Sequence, residues 1–282
     1  MRTVSTIKEV REAVAAARRG GAQIGFVPTM GFLHEGHLRL VDDARRRSQF
    51  VVMSIFVNPL QFAPTEDLSR YPRDPDGDAA KAESRHVDLL FLPDTATMYP
   101  AGAATMVVPE RLDRRWEGEV RPGHFAGVLT VVAKLFNIVQ PDVAVFGQKD
   151  IQQATIVRAM VRDLDFPVEV VVGATAREPD GLALSSRNSY LSADQRTQAR
   201  VLSRALGAVE RAFGSGTRSA AELEQVGRAV LAAEPSARVD YLALVSPTTL
   251  EPVPEATTGT VVIVAARIGA TRLIDNVILD GR

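Results

Sequence analysis

Short apolar runs alternate with helix-spaced segments through the first 172 residues, and this rhythm constrains the fold more than any other feature of the chain. The runs fall at 23–27 (QIGFV), 50–57 (FVVMSIFV), 87–92 (VDLLFL), 143–146 (VAVF) and 168–172 (VEVVV), with a further candidate strand at 105–108. Strands that read as continuous apolar stretches, separated by amphipathic helices, belong to a parallel sheet covered on both faces. The expected architecture is an α/β, Rossmann-like doubly wound parallel-sheet domain, with ligands at the carboxyl ends of its strands. Ahead of the first run, Thr6 and Glu9 fit a capping box, Ile7, Val10 and Val14 line one helix face, and Gly20 with Gly21 ends it.

Beyond residue 174 the texture changes. A polar connection, AREPDGLALSSRNSYLS, leads into helices over 193–213 and 220–233, then strands at 239–245, 260–267 and 273–279. Their alternation predicts a smaller α+β C-terminal domain with a partly exposed sheet. The chain therefore divides into a larger N-terminal domain over 1–175 and a smaller C-terminal domain over 176–282.

Charge and cysteine content narrow the function. With 33 basic and 34 acidic residues the net charge is -1, so no global field would draw the chain to nucleic acid or an anionic membrane. No apolar run is long enough to span a bilayer, and the absence of cysteine removes disulfides and thiol chemistry, which suits a cytoplasmic protein.

Three loops at strand ends, PTMGFLHEGH, NPLQF and GQKD, carry the chemistry, together with LALSSRN at the domain junction. The first, PTMGFLHEGH, places Pro28, Gly31 and Gly36 where backbone can approach a ligand, ahead of a helix whose free N–H groups favour an anion. His34 and His37 add two imidazoles able to donate to phosphate oxygens; capping or surface roles are the plain alternative, and zinc is disfavoured by their spacing around Gly36. GQKD supplies Gly147 for close approach, Lys149 as a compact charge, and Asp150 as a carboxylate for magnesium or a ribose hydroxyl. LALSSRN, after the sheet, offers Ser185, Ser186 and Arg187 for phosphate, or else a capping serine pair. Gln61 and Gln153 are neutral amides near the same strand ends, suited to a hydroxyl or carboxyl group.

The ordered set PTMGFLHEGH, SIFVNPLQF, YPRDPDGD, RPGHFAGVLTVVAKLFNIVQPD, VFGQKD and LALSSRNSYL resembles the pantothenate synthetase family, pantoate–β-alanine ligases of the nucleotidyltransferase superfamily with an HxGH motif. The likeness covers nearly all of residues 24–192. It implies an ATP-dependent ligase that condenses pantoate with β-alanine through pantoyl adenylate, releasing pyrophosphate and then AMP. By that resemblance Met30, Gly31, Phe32, Leu33, His34, Glu35, Gly36 and His37 bind ATP, with His37, His34 and Lys149 catalytic. Gly147, Gln148, Lys149 and Asp150 would hold ribose and phosphate, Ala176 the adenine, and Leu184, Ser185, Ser186 and Arg187 would act as a mobile phosphate loop. Gln61 and Gln153 would bind pantoate, Val131 and Phe146 would wall its methyl groups, and Gln61 would also meet β-alanine.

Pyrophosphate can depart on Mg²⁺ without being protonated, so His37 is expected to act as charge and hydrogen-bond donor. Asp76, Asp78 and Asp150 are the magnesium candidates, Asp78 foremost. Two departures stand out: Gly77, where some family members carry an acidic residue, and Phe32, where many have a smaller residue or tyrosine. The family also implies a homodimer.

Rival readings are weaker. A nucleotidyltransferase acting on a phosphate acceptor would need a second basic cluster, whereas SIFVNPLQF is neutral. A tRNA synthetase would need a large basic surface, and a non-catalytic nucleotide sensor would not need both histidines with Lys149 and Arg187.

Overall fold

The computed structural model describes residues 1–64 and 66–280. The chain forms two compact units, Met1–Gly147 with Gln152–Ala174, and Gln148–Ile151 with Thr175–Arg282. The short segment 148–151 thus packs with the second unit, although the sequence reading placed it in the first.

In the first unit β1 (Arg2–Val4) precedes α1 (Ile7–Arg19), followed by β2 (Ile24–Thr29), α2 (Glu35–Arg45), β3 (Phe50–Ile55) and α3 (Pro75–Ser84). Next come β4 (Leu89–Phe91), two short helices α4 (Thr95–Met98) and α5 (Glu117–Val120), α6 (His124–Val139), β5 (Val143–Gly147), α7 (Ile151–Asp163) and β6 (Glu169–Gly173). The six strands are parallel in the order β1-β4-β3-β2-β5-β6. This is the doubly wound sheet the alternation predicted.

Strand periodicity divides the core in two. Ile24, Phe26, Val52, Phe91, Ala144 and Phe146 point to the side filled by α1 and α6, whereas Val27, Val51, Met53, Leu90, Val143 and Val145 point to the side with Val41 and Ala82. Successive strand side chains face opposite ways, so both faces must be apolar and both are covered. The centre of α6 is apolar nearly all round because it lies inside the larger cluster. At α1 the capping box forms as read, Thr6 Oγ1 accepting from Glu9 N–H at 3.3 Å and Glu9 Oε2 from Thr6 N–H at 3.2 Å.

Two elements differ from the sequence reading. Residues 105–108 form no strand; the backbone there is bound by one side chain, Thr130 Oγ1 accepting from Val107 N–H at 3.0 Å, while Met106 and Val108 are 52% and 65% exposed. The missing strand is instead β1, whose residues pair with Leu89, Leu90 and Phe91 at the sheet edge.

Strand order reverses between the neighbours β2 and β5. Connections leave in opposite directions at such a switch point and open a crevice at the carboxyl ends of the strands. The loops PTMGFLHEGH and GQKD begin at those two ends.

The second unit is α+β, also as read. Helices α8 (Ala193–Ala199), α9 (Val201–Gly214) and α10 (Ala220–Ala232) precede the antiparallel sheet β7 (Ala237–Val245), β8 (Val261–Ile268) and β9 (Thr271–Ile278), with β9 at an edge. The expected single helix over 193–213 is interrupted at Arg200. Leu206, Val209 and Phe213 of α9 and Leu223 and Leu231 of α10 pack with Leu242, Leu244, Val262 and Val264 of the sheet.

Candidate active site

Between β2 and α2 the chain turns through two residues with positive φ, Gly31 at 84° and Phe32 at 50°. At Gly31 a Cβ would lie 2.8 Å from Ile55 Cγ2 and 2.9 Å from Asp78 Oδ2, so glycine is needed for space as well as conformation. Asp78, at the start of α3 and 1% exposed, fixes the turn: its carboxylate accepts from Phe32 N–H at 2.7 Å and Leu33 N–H at 2.6 Å. Leu33 buries its side chain in the core beneath.

His34 caps α2. Its Nδ1 accepts from Gly36 N–H at 3.2 Å, and His37 Nδ1 accepts in turn from His34 N–H at 3.3 Å, a capping box built from imidazoles. The rings lie 4.1 Å apart between centroids. While these bonds hold, Nδ1 of each ring carries no proton, and Nε2 is the nitrogen that bears the hydrogen. Capping, the plain alternative for a loop histidine, is therefore the means by which both rings are oriented. Glu35 turns elsewhere; Arg85 donates to both its oxygens at 2.7 and 2.8 Å.

After β3, the 3-10 turn Pro59–Gln61 buries Gln61. Asn58 Nδ2 donates to Gln61 Oε1 at 3.1 Å and to the Gly127 carbonyl at 3.1 Å, Tyr99 Oη donates to Asn58 Oδ1 at 2.8 Å, and Gln61 Nε2 reaches Met30 Sδ at 2.9 Å. The amide is thus aimed at the first loop, against a thioether that is only a weak acceptor. Gly127 permits this, because a Cβ there would sit 2.3 Å from the Leu60 carbonyl oxygen. Val131 and Phe146 are both buried in the apolar cluster on this side of the sheet.

A polar cluster supports the Gln61 backbone from behind. Arg121 donates to Glu66 at 2.5 and 3.0 Å and to His124 Nε2 at 3.1 Å, leaving His124 Nδ1–H to donate to the Gln61 carbonyl at 2.8 Å. His124 is 9% exposed. Burial, then the adjacent Arg121 guanidinium, push its pKa down to about 4, against the pull of the Gln61 carbonyl and Glu66. It is a neutral imidazole at physiological pH. Glu66, despite partial burial, is held below the usual carboxylate range by Arg121.

Asn58, Arg121 and His124 were missed from sequence; an Asn-Pro at a strand end and a histidine opening an apolar helix were the available signals. Gln153 is half-buried on α7, while its neighbour Gln152 is buried and occupied with the start of α5 and the loop before it, accepting from Glu117 N–H at 3.0 Å and donating to the Leu112 carbonyl at 2.9 Å.

The second unit holds the remaining candidates. Gln148–Asp150 form a 3-10 turn with Lys149 Nζ 3.8 Å from Asp150. Asn276 of β9 donates to the carbonyls of Gln148 and Lys149, both at 2.9 Å. Ala176 is buried, and its carbonyl accepts from Leu184 N–H at 2.9 Å next to the Arg177–Ala183 bridge. Ser185 caps the turn Ser186–Tyr190, its Oγ accepting from Arg187 N–H at 3.3 Å. The capping alternative for the serine pair therefore describes Ser185, while Ser186 is buried.

Among the described residues no group of three or more His, Cys, Asp or Glu could hold a metal ion. Asp78, the foremost candidate, spends both oxygens on the loop backbone; Asp76 is exposed, and Asp150 faces Lys149.

A parallel sheet with a switch point, and His-x-Gly-His at the entry to the helix after β2, define a Rossmann-like α/β enzyme domain. Residues 2–278 match the family model described as pantoate-beta-alanine ligase. The chain is 57% identical over 277 residues to a pantothenate synthetase of Thermus thermophilus, covering 98% of each chain, and 52% identical over 282 residues to that of Chloroflexus aurantiacus, covering 100% of this chain and 99% of the relative. The solved Thermus structure superposes with a TM-score of 0.94 at 55% identity, covering 99% of both chains. A pantoate-beta-alanine ligase from Francisella tularensis, described as complexed with beta-gamma ATP and beta-alanine, gives 0.81 at 32% identity, covering 99% of this chain and 97% of that one. The chain belongs to the pantoate-beta-alanine ligase family and is a ligase of pantothenate biosynthesis.

Proposed function

We propose that the enzyme joins pantoate to β-alanine in two steps through an enzyme-bound pantoyl adenylate. A pantoate carboxylate oxygen attacks the α-phosphorus of MgATP, and the bond to the bridging oxygen breaks, releasing pyrophosphate. The β-alanine amine then attacks the acyl carbon, loses a proton to form the amide, and AMP leaves with the original pantoate oxygen. The observation that carries this reading is the paired histidine cap, which leaves the hydrogen of each ring on Nε2, in the loop that follows β2 beside the sheet's switch point.

An Nε2–H imidazole is a good hydrogen-bond donor and a very poor acid. His34 and His37 therefore stabilise charge growing on the phosphates, and pyrophosphate leaves unprotonated on the magnesium that arrives with ATP. Met30, Gly31, Phe32, Leu33, Glu35 and Gly36 supply loop backbone. Gly147, Gln148, Lys149 and Asp150 serve ribose and phosphate, Ala176 the adenine, and Leu184, Ser185, Ser186 and Arg187 the phosphates.

Gln61 exchanges its weak thioether partner for pantoate, and later for β-alanine, while Gln153 holds the acid and Val131 with Phe146 wall it. The Francisella relative's ligands support ATP and β-alanine as substrates. Magnesium enters as part of that substrate rather than on Asp78. The first unit acts as substrate domain and the second as lid, in a cytoplasmic homodimer. Pyrophosphate release from MgATP should depend on pantoate, and AMP release on β-alanine; pyrophosphate release without pantoate would overturn the reading.

A further inference from the structure

The segment bearing Lys149 continues from β5 of the first unit, yet it packs with the second. Its anchor is one side chain. Asn276, 1% exposed on the edge strand β9, donates one amide hydrogen to the Gln148 carbonyl and one to the Lys149 carbonyl, both at 2.9 Å, and its Oδ1 accepts from Gln148 Nε2 at 3.2 Å. Two consecutive carbonyls held by one planar amide fix the peptide between them, and with it the direction in which Lys149 leaves the backbone.

The preceding residue works on a neighbouring segment. Asp275 takes Arg177 bidentately at 2.6 and 3.0 Å, and Arg177 also donates to the Gly181 carbonyl at 3.2 Å and the Asn276 carbonyl at 3.3 Å. This closes the turn that runs through the Arg177–Ala183 bridge into Leu184. Burial opposes the Arg177 charge, but Asp275 outweighs it and holds the guanidinium firmly protonated. One dipeptide of β9 thus anchors both segments of the second unit to which nucleotide contacts are assigned.

We propose that Asn276 is a positioning residue for the adenylation step, acting through Lys149, with Asp275 doing the same for Leu184–Arg187 through Arg177. The inference rests on the reading of Lys149 as a phosphate ligand. Its chemistry is specific to asparagine: aspartate offers no donor to either carbonyl, glutamine is one methylene too long for the same pair, and alanine removes the donor from both.

The two half-reactions separate this role from a general structural one, because only the first contains a triphosphate. Asn276→Ala and the isosteric Asn276→Asp should each slow pantoate-dependent pyrophosphate release by about 10-fold or more. Both should convert supplied pantoyl adenylate and β-alanine to product within about 2-fold of the parent rate. In a Lys149→Ala background the further loss from Asn276→Ala should shrink to under about 2-fold, as expected for residues acting as a unit. Equal slowing of both half-reactions, or the same loss with and without Lys149, would overturn the positioning role, as would full adenylation activity in both variants. A Lys149→Ala enzyme with undiminished pyrophosphate release would instead overturn the assignment of Lys149 itself, and the inference with it.

Discussion

Asp78 and Leu33, 45 residues apart in sequence, meet through a 2.6 Å bond from the Leu33 N–H to Asp78 Oδ1. The same carboxylate takes Phe32 N–H, so a single buried side chain sets the conformation of the loop ahead of the histidine pair. Asp78→Ala leaves two backbone donors without their acceptor, and should lower the free energy of urea unfolding by about 3 kcal/mol. The magnesium concentration giving half-maximal activity should stay unchanged. A tenfold rise in that concentration with stability intact would return Asp78 to the metal.

Gly127 and Leu60 approach so closely that any side chain at 127 must displace the turn carrying Gln61, since the obstructing atoms are backbone. Gly127→Ala should therefore raise the KM for pantoate by about 10-fold, with a smaller change in the KM for ATP. Gln61→Ala should produce the same pattern by removing the amide itself. Steady-state kinetics with each substrate varied will decide; a change confined to ATP would refute the placement of Gln61.

His124 links stability to pH. Its folded pKa of about 4 lies below the ordinary histidine value of 6.5, so below pH 6.5 the unfolded chain binds a proton that the folded chain refuses. The contribution is complete above pH 6.5 and drains away as pH falls toward 4. Between pH 7 and pH 5 the loss amounts to about 2 kcal/mol. Urea unfolding at the two pH values should show a drop about that much smaller in His124→Gln than in the parent, and identical drops would place the sensitivity elsewhere.

His37 tests the donor argument. His37→Ala should cut pantoate-dependent pyrophosphate release by about 100-fold, the scale for losing one oriented donor to developing charge. Glutamine keeps a donor at similar reach, so His37→Gln should recover a measurable part of that loss. Equal losses in the two variants would undercut simple hydrogen-bond donation.

Much of this was legible in the sequence because both the sheet and the loops obey local rules. Apolar runs of strand length located β2, β3, β5 and β6, and Thr6 with Glu9 marked the start of α1. The run at 105–108 misled because alternation reports a side-chain pattern, whereas a strand also needs a partner; β1, only three residues long, has one in β4. Residues that bind backbone at a distance escaped altogether. Asn276 sits 128 residues from Gln148, and its only local trace is the polar pair Asp275–Asn276 interrupting an apolar strand. The charge of Asp78 suggests a metal ligand, because nothing local says that both its oxygens meet a loop far back in the chain.

The adenylate is the centre of the account, and isotope transfer tests it most directly. Pantoate carrying ¹⁸O in its carboxylate, incubated with MgATP, β-alanine and the enzyme, should deliver one labelled oxygen to AMP, as mass spectrometry of the products will show. Label appearing in orthophosphate alongside ADP, or AMP formed without label, would contradict attack of pantoate at the α-phosphorus.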